Sequence, residues 1–139
     1  MVEITVKYQG ELRCEATHTP STRTLQTDAP VDNQGRGESF SPTDLLATGL
    51  ATCMATILGI AARREGWNLD GMKVRVEKHM TTEPPRRILR LPVEIWFPTR
   101  LPNAARAECE RLAPTCPVAL SIHPEIEVPI AFHWPAAGD

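Results

Sequence analysis

Residues 45–62, LLATGLATCMATILGIAA, pass without one charged side chain. A helix that lacks a polar face has no side to offer water, so it must be enclosed by protein or by lipid. The run just reaches the length of a bilayer span. Against a span stand its many threonines, glycines and alanines, and the lack of flanking aromatic belts, with Trp67 the one nearby candidate. The expectation is a central helix buried on every side, wrapped by sheet and by a second subunit. Cys53 sits in the middle of this run. Thiols react as thiolates, and a charge-free helix is a poor place to make one. Cys53 is therefore either inert packing or a nucleophile switched on by charges from elsewhere in the fold.

The chain has 139 residues, enough for one domain over 1–139 with a real core and no disulfide staples. A net charge of −2, one Tyr and three Phe leave neither a basic footprint nor stacking platforms, which disfavours nucleic acid as a partner. The N-terminus alternates as MVEITVKYQ, with no basic stretch leading into an apolar one, so the expected compartment is the reducing cytoplasm. There, four cysteines are expected to be free, catalytic or metal-bound.

Val2, Ile4, Val6 and Tyr8 alternate with Glu3, Thr5, Lys7 and Gln9, which predicts a half-buried strand. Gly10-Glu11 turns the chain into a second strand over 12–18, and 23–27 predicts a third. A loop over 28–39 carries Arg36 and Glu38. Ser41-Pro42-Thr43-Asp44 is a helix start, with Ser as N-cap, Pro first and Asp in the opening turn, and the helix should end at Gly66. Strands follow over 72–82 and 88–97, parted by Glu83-Pro84-Pro85. The second puts Leu89, Leu91, Val93, Ile95 and Phe97 on one face, and Pro92 marks it as an edge or bulged strand. A short helix over 103–113, a further helical turn over 115–122 and a last strand over 125–134 complete an α+β chain of antiparallel sheet around one long buried helix. No low-complexity segment appears beyond the tail at 137–139.

Cys53 and Cys116 are too far apart for a CxxC motif, yet two separated thiols can still do redox chemistry. One thiolate is oxidised to a sulfenic acid and the other condenses with it to a disulfide. With Pro117 first in a helix, Cys116 becomes its N-cap, where the backbone dipole favours a thiolate. Cys109 falls on a buried stripe. Cys14 and His18 share a strand face without the further ligands that zinc needs. His79 and His133 fit strand patterns, and His123 lies seven residues beyond Cys116 in a loop. No cofactor motif and no metal site is expected.

Ser41-Pro42-Thr43-Asp44-Leu45 leading to Cys53, with Leu112-Ala113-Pro114-Thr115-Cys116-Pro117-Val118 downstream, resembles the two motifs of the OsmC/Ohr family of thiol peroxidases. The resemblance runs along nearly the whole chain, from Val2 to Trp134. It implies an OsmC-like fold, an intertwined homodimer with two sites at the subunit interface, and reduction of organic or inorganic hydroperoxides. Cys53 is then the peroxidatic residue and Cys116 the resolving one, with a dithiol of unspecified identity as reductant. Peroxide cleavage develops negative charge, so a guanidinium held by a carboxylate should stand by. Many family members hold that arginine with a glutamate ten residues before the cysteine, and here that position is Thr43. Asp44 and Glu38 are the replacement carboxylates, Arg36 the first candidate cation and Arg23 the second. Leu50, Met54 and Ile57 around Cys53 favour organic peroxides. Two other readings stay open: a non-catalytic protein binding an apolar ligand at the interface pocket, and a structural dimer with inert thiols.

Overall fold

Three consecutive strands open the chain in the computed structural model, which describes residues 1–136; the tail at 137–139 lies outside them. They are β1 (Ile4–Gly10), β2 (Arg13–His18) and β3 (Arg23–Asp28), an antiparallel meander in the order β1-β2-β3. Glu11 and Leu12 turn the first hairpin with left-handed backbone, φ 56° and 62°. After β3 the chain passes a single 3-10 turn, Val31–Asn33, and enters the long helix α1 (Pro42–Glu65). The contacts group the chain into two compact units, Met1–Leu46 and Ala47–Asp139.

In the first unit the expected half-buried strand is not half-buried. Ile4, Val6 and Tyr8 share a face with Ala16 and Leu25 through the observed register, but all three are more than 60% exposed. Alternation correctly marks the strand, but its apolar side is exposed among the described residues. The unit ends in the start of α1, and the capping pattern is the predicted one. The Asp44 N–H donates to Ser41 Oγ at 3.1 Å, and the Ser41 N–H donates back to Asp44 Oδ2 at 2.9 Å. Two orphan amides are thus satisfied reciprocally, as in a capping box.

The second unit packs the rest of α1 against a sheet and two shorter helices. The sheet runs β4-β7-β8, from β4 (Lys73–Val76), β7 (Val93–Trp96) and β8 (Ile130–His133). A separate ribbon pairs β5 (His79–Met80) with β6 (Ile88–Arg90). The helices are α2 (Asn103–Leu112) and α3 (Pro117–Ser121). Leu50, Met54 and Leu58 of α1 are fully enclosed together with Leu91, Val93, Ile95 and Cys109. Gly66, at φ 77°, takes the left-handed position just past the end of α1. The opposite side of the helix is open: Thr52, Thr56 and Gly59 are exposed, and Ile60 is 60% exposed. So a helix expected to be buried on every side is, in a single chain, buried on one.

Three other expectations need correction. The strand over 88–97 is broken at Leu91-Pro92 into β6 and β7, and Ile88 rather than Leu89 faces the core. Pro92 does not mark an edge: β7 is the central strand, and the Pro92 carbonyl accepts from the Glu77 N–H at 3.0 Å. The strand over 72–82 is likewise split, into β4 and β5. The last strand is shorter than expected and runs parallel to β7, so this sheet is mixed. Trp134, just beyond it, stacks on Phe97 with ring centres 3.6 Å apart and lies 5.3 Å from the Arg106 guanidinium, tying the residues after β8 to α2.

Candidate active site

Cys53 and Cys116 meet. Cys53 lies on α1 at the border between its buried row, Leu50, Met54 and Leu58, and its exposed row, Thr52, Thr56 and Ile60. Cys116 links a 3-10 turn, Ala113–Thr115, to α3. The two side chains, more than sixty residues apart in sequence, come near enough for Cys53 to act on the Cys116 thiol, and Cys53 packs against the core cluster that includes Cys116. Both are free thiols.

Their environments differ. Cys53 is partly exposed, whereas Cys116 is fully buried, at 0%. Cys116 is the N-cap of α3 and accepts from the Ala119 N–H at 3.4 Å, with the Val118 N–H also directed at its sulfur. Those amides favour a thiolate, as the sequence suggested. Burial outweighs them, and the adjacent Cys53 sulfur adds to it, so the Cys116 thiol is raised above its ordinary value. Cys109, enclosed on α2, is pushed up to about 11 by burial and by Glu108 and Glu110. It is inert packing at neutral pH.

In the first unit the carboxylates and arginines sort differently from expectation. Asp44 is engaged in the helix cap. Arg36 is 62% exposed, with Glu11 as its partner at 3.9 Å. Glu38 pairs instead with Arg13, whose Nη2 also lies 3.5 Å from Asp28 Oδ2. Asp28 stands directly opposite Arg13 in the β2–β3 register and is 1% exposed. The Glu38 N–H donates to Asp28 Oδ2 at 3.0 Å. That bond, followed by the Arg13 charge, holds the Asp28 carboxyl below its usual range. Glu38, as hydrogen-bond acceptor, raises Arg13 further. Arg13 Nε and Asp28 Oδ1 are buried with no hydrogen-bond partner. Arg13 and Asp28 were missed by reading along the sequence. The available signal was the hairpin at Gly10-Glu11, which fixes the register of β2 and so places Arg13 at its start. Arg23 lies on β3 opposite His18. His123 is exposed, its Nδ1 accepting from the Glu125 N–H at 3.1 Å. Among the described residues no cluster of His, Cys, Asp and Glu could hold a metal ion.

The chain is thus mixed α/β, with two free cysteines placed between its long helix and a short capped one. A family model described as OsmC-like protein matches residues 35–131. The chain belongs to the OsmC-like family. A solved protein of Psychrobacter arcticus 273-4, named for an osmotic stress induced and detoxification response, is 47% identical over 96% of each chain, with a TM-score of 0.91. A Legionella pneumophila structure named as an organic hydroperoxide resistance protein, OsmC, is 17% identical over 96% of each chain, TM-score 0.76. The organic hydroperoxide resistance protein OhrB of Bacillus subtilis is 14% identical over 95% of this chain and 97% of its own, TM-score 0.68. The latter two bear on the fold alone. No curated protein sequence matches the chain.

Proposed function

We propose that the chain is a thiol-dependent hydroperoxide reductase. The Cys53 thiolate attacks the terminal oxygen of a hydroperoxide, the O–O bond breaks, and the departing alkoxide takes a proton to leave as an alcohol. Cys53 becomes a sulfenic acid. Cys116 then attacks the Cys53 sulfur, water departs, and a Cys53–Cys116 disulfide remains for a dithiol to reopen. One observation carries this reading: two free thiols, distant along the chain, are brought together at one edge of the core, one partly open and one enclosed. The same pairing favours it over a purely ligand-binding relative, which has no need of a second thiol.

The guanidinium we assign to the developing charge is Arg13, ahead of Arg36 and Arg23. Arg13 is braced by two carboxylates, and a pre-organised cation stabilises a transition state without reorganising. We further propose that the protein acts as a cytoplasmic homodimer, since the sheet face bearing Ile4, Val6, Tyr8 and Leu25 is too apolar to be left to water. Helix α1 is long and apolar enough to cross a membrane by length and composition, but its inner row forms the core of the second unit.

The test is turnover of cumene hydroperoxide with dithiothreitol, for wild type and for Cys53→Ser, Cys116→Ser, Arg13→Ala and Arg36→Ala. The reading expects Cys53→Ser to abolish turnover. It expects Arg13→Ala to lower kcat/KM by roughly a hundredfold or more, the scale of one lost charge-stabilising donor, and Arg36→Ala to leave it near wild type. Full activity in Cys53→Ser would overturn the reading.

A further inference from the structure

We infer that Asp28 is the positioning residue of Arg13 and that Glu38 restrains it: to act, the guanidinium leaves the Glu38 carboxylate and seats Nε and Nη2 together on Asp28. Resting as it does on the proposed reading of Arg13 as the cation, this assignment makes its two carboxylates work in opposite directions.

Two orphan atoms point to it. Arg13 Nε, a donor, and Asp28 Oδ1, an acceptor, are both buried without a hydrogen-bond partner. Unpaired polar atoms of that kind are rare and destabilising. They belong to residues that stand opposite each other across β2 and β3. Their companion atoms, Arg13 Nη2 and Asp28 Oδ2, are already 3.5 Å apart. Nε and Nη2 share one edge of a guanidinium, the edge that can pair side-on with a carboxylate through two parallel bonds. Here that pairing stops half-made.

Glu38 accounts for the gap. Its carboxylate accepts from Arg13 Nη2 and draws the guanidinium toward itself. Its backbone N–H, by contrast, holds Asp28 Oδ2 at 3.0 Å. Asp28 is thus fixed by main chain at 1% exposure, whereas the Glu38 side chain is 58% exposed and can exchange the contact for water. Both orphan atoms are shut off from solvent within one chain, so a second copy packed outside supplies neither with a partner. Seated on Asp28, Arg13 keeps its other edge, Nη1 with the second Nη2 hydrogen, for an atom that gains negative charge. The Glu38 carboxylate competes for that edge and offsets the guanidinium charge.

The experiment first reads the Arg13 Nε–H resonance in isotope-labelled protein by proton–nitrogen correlation NMR, with no peroxide present and with Arg13→Ala to assign the signal. Glu38→Ala keeps the amide that holds Asp28 and removes the competing carboxylate. Its Nε proton should move downfield as it bonds to Oδ1, and adding Asp28→Asn, which offers no second acceptor, should undo the move. The rate of reaction with cumene hydroperoxide should rise about tenfold in Glu38→Ala and fall about tenfold in Asp28→Asn, the scale of one hydrogen bond to a charged group. In the double variant the rise should vanish, a coupling that a merely structural Asp28 would not produce. An Nε proton that stays in place in Glu38→Ala overturns the inference, as do carboxylate variants that change the rate in the same direction. Should Arg13→Ala react as fast as wild type, the reading of Arg13 as the cation falls, while its seat on Asp28 is still decided by the Nε resonance.

Discussion

Oxidation of the dithiol should change the stability of the whole protein by an amount set by its place in the chain. A Cys53–Cys116 bond closes a loop of about 60 residues, and the chain-entropy model assigns such a closure ~4 kcal/mol through restriction of the unfolded state. That figure is an upper bound, reduced by any strain the bond introduces. Strain should be small because the sulfurs are already neighbours in the reduced form. With a urea slope of about 2 kcal/mol per molar, the unfolding midpoint should rise by up to ~2 M. The assay is urea unfolding of reduced protein and of protein treated with one equivalent of cumene hydroperoxide, with intact mass to show loss of two hydrogens. Cys116→Ala serves as control: it should show no oxidation-dependent shift and should instead accumulate a Cys53 sulfenic acid that dimedone traps. A protein that carries the Cys53–Cys116 crosslink yet unfolds at the reduced midpoint would refute the loop argument. Crosslinks through Cys14 or Cys109 would refute the pairing itself.

Three further outcomes follow from groups outside the dithiol. Asp28 is held below its ordinary carboxyl range, chiefly by the Glu38 amide and then by Arg13. The stability it contributes is full above its unfolded value of ~3.9 and is lost as pH falls below that toward its folded value, so acid titration of Asp28→Asn should show a flatter limb there. Cys109 keeps its proton to about 11 when folded and releases it near the ordinary ~8.5 when unfolded. Stability should fall as pH rises between the two by ~1.4 kcal/mol per unit, and Cys109→Ala should remove that slope in alkaline denaturant melts. Leu58→Ala, at a fully enclosed site, should lose ~2–5 kcal/mol in urea unfolding, whereas Ile60→Ala, two residues on and open in the single chain, should stay within ~0.5 kcal/mol unless a second copy covers it.

What could be read from the sequence was local. The start of α1 is encoded in four adjacent residues, Ser41 to Asp44, and its end in Gly66, so both boundaries were legible. Cys116 before Pro117 announced its own N-cap in the same way. The misreadings come where pairing joins distant segments. Leu89, Leu91, Val93, Ile95 and Phe97 alternate without a break, and nothing in that pattern says that the Leu91 amide will bond to Glu127, at 2.8 Å, and turn the chain between two sheets. The parallel partnership of β8 with β7 is likewise invisible in β8 alone. The carboxylates show the same limit. Arg36 and Glu38 were candidate cation and carboxylate from one loop, but Glu38 reaches 25 residues back to Arg13, through a loop whose geometry no periodicity describes.

The charge-free run that opens the sequence also defines what the site still requires. On α1 the charged residues flanking Cys53 are Asp44 and Arg63, nine and ten positions away, or ~13 and ~15 Å at the helical rise. Both distances exceed the ~8–10 Å over which charges act in physiological salt. The other sulfur offers no help, because Cys116 is itself a neutral thiol raised by burial. A thiolate at Cys53 therefore has to draw its cation from outside its own helix, and the arginine we proposed for that role is Arg13, itself braced by Asp28 and Glu38. Removing that charge should slow the reaction of Cys53 with hydroperoxide, while Arg36→Ala leaves it in place. A peroxide reaction rate indifferent to Arg13 would mean that Cys53 is served by something other than the guanidinium braced by Asp28 and Glu38.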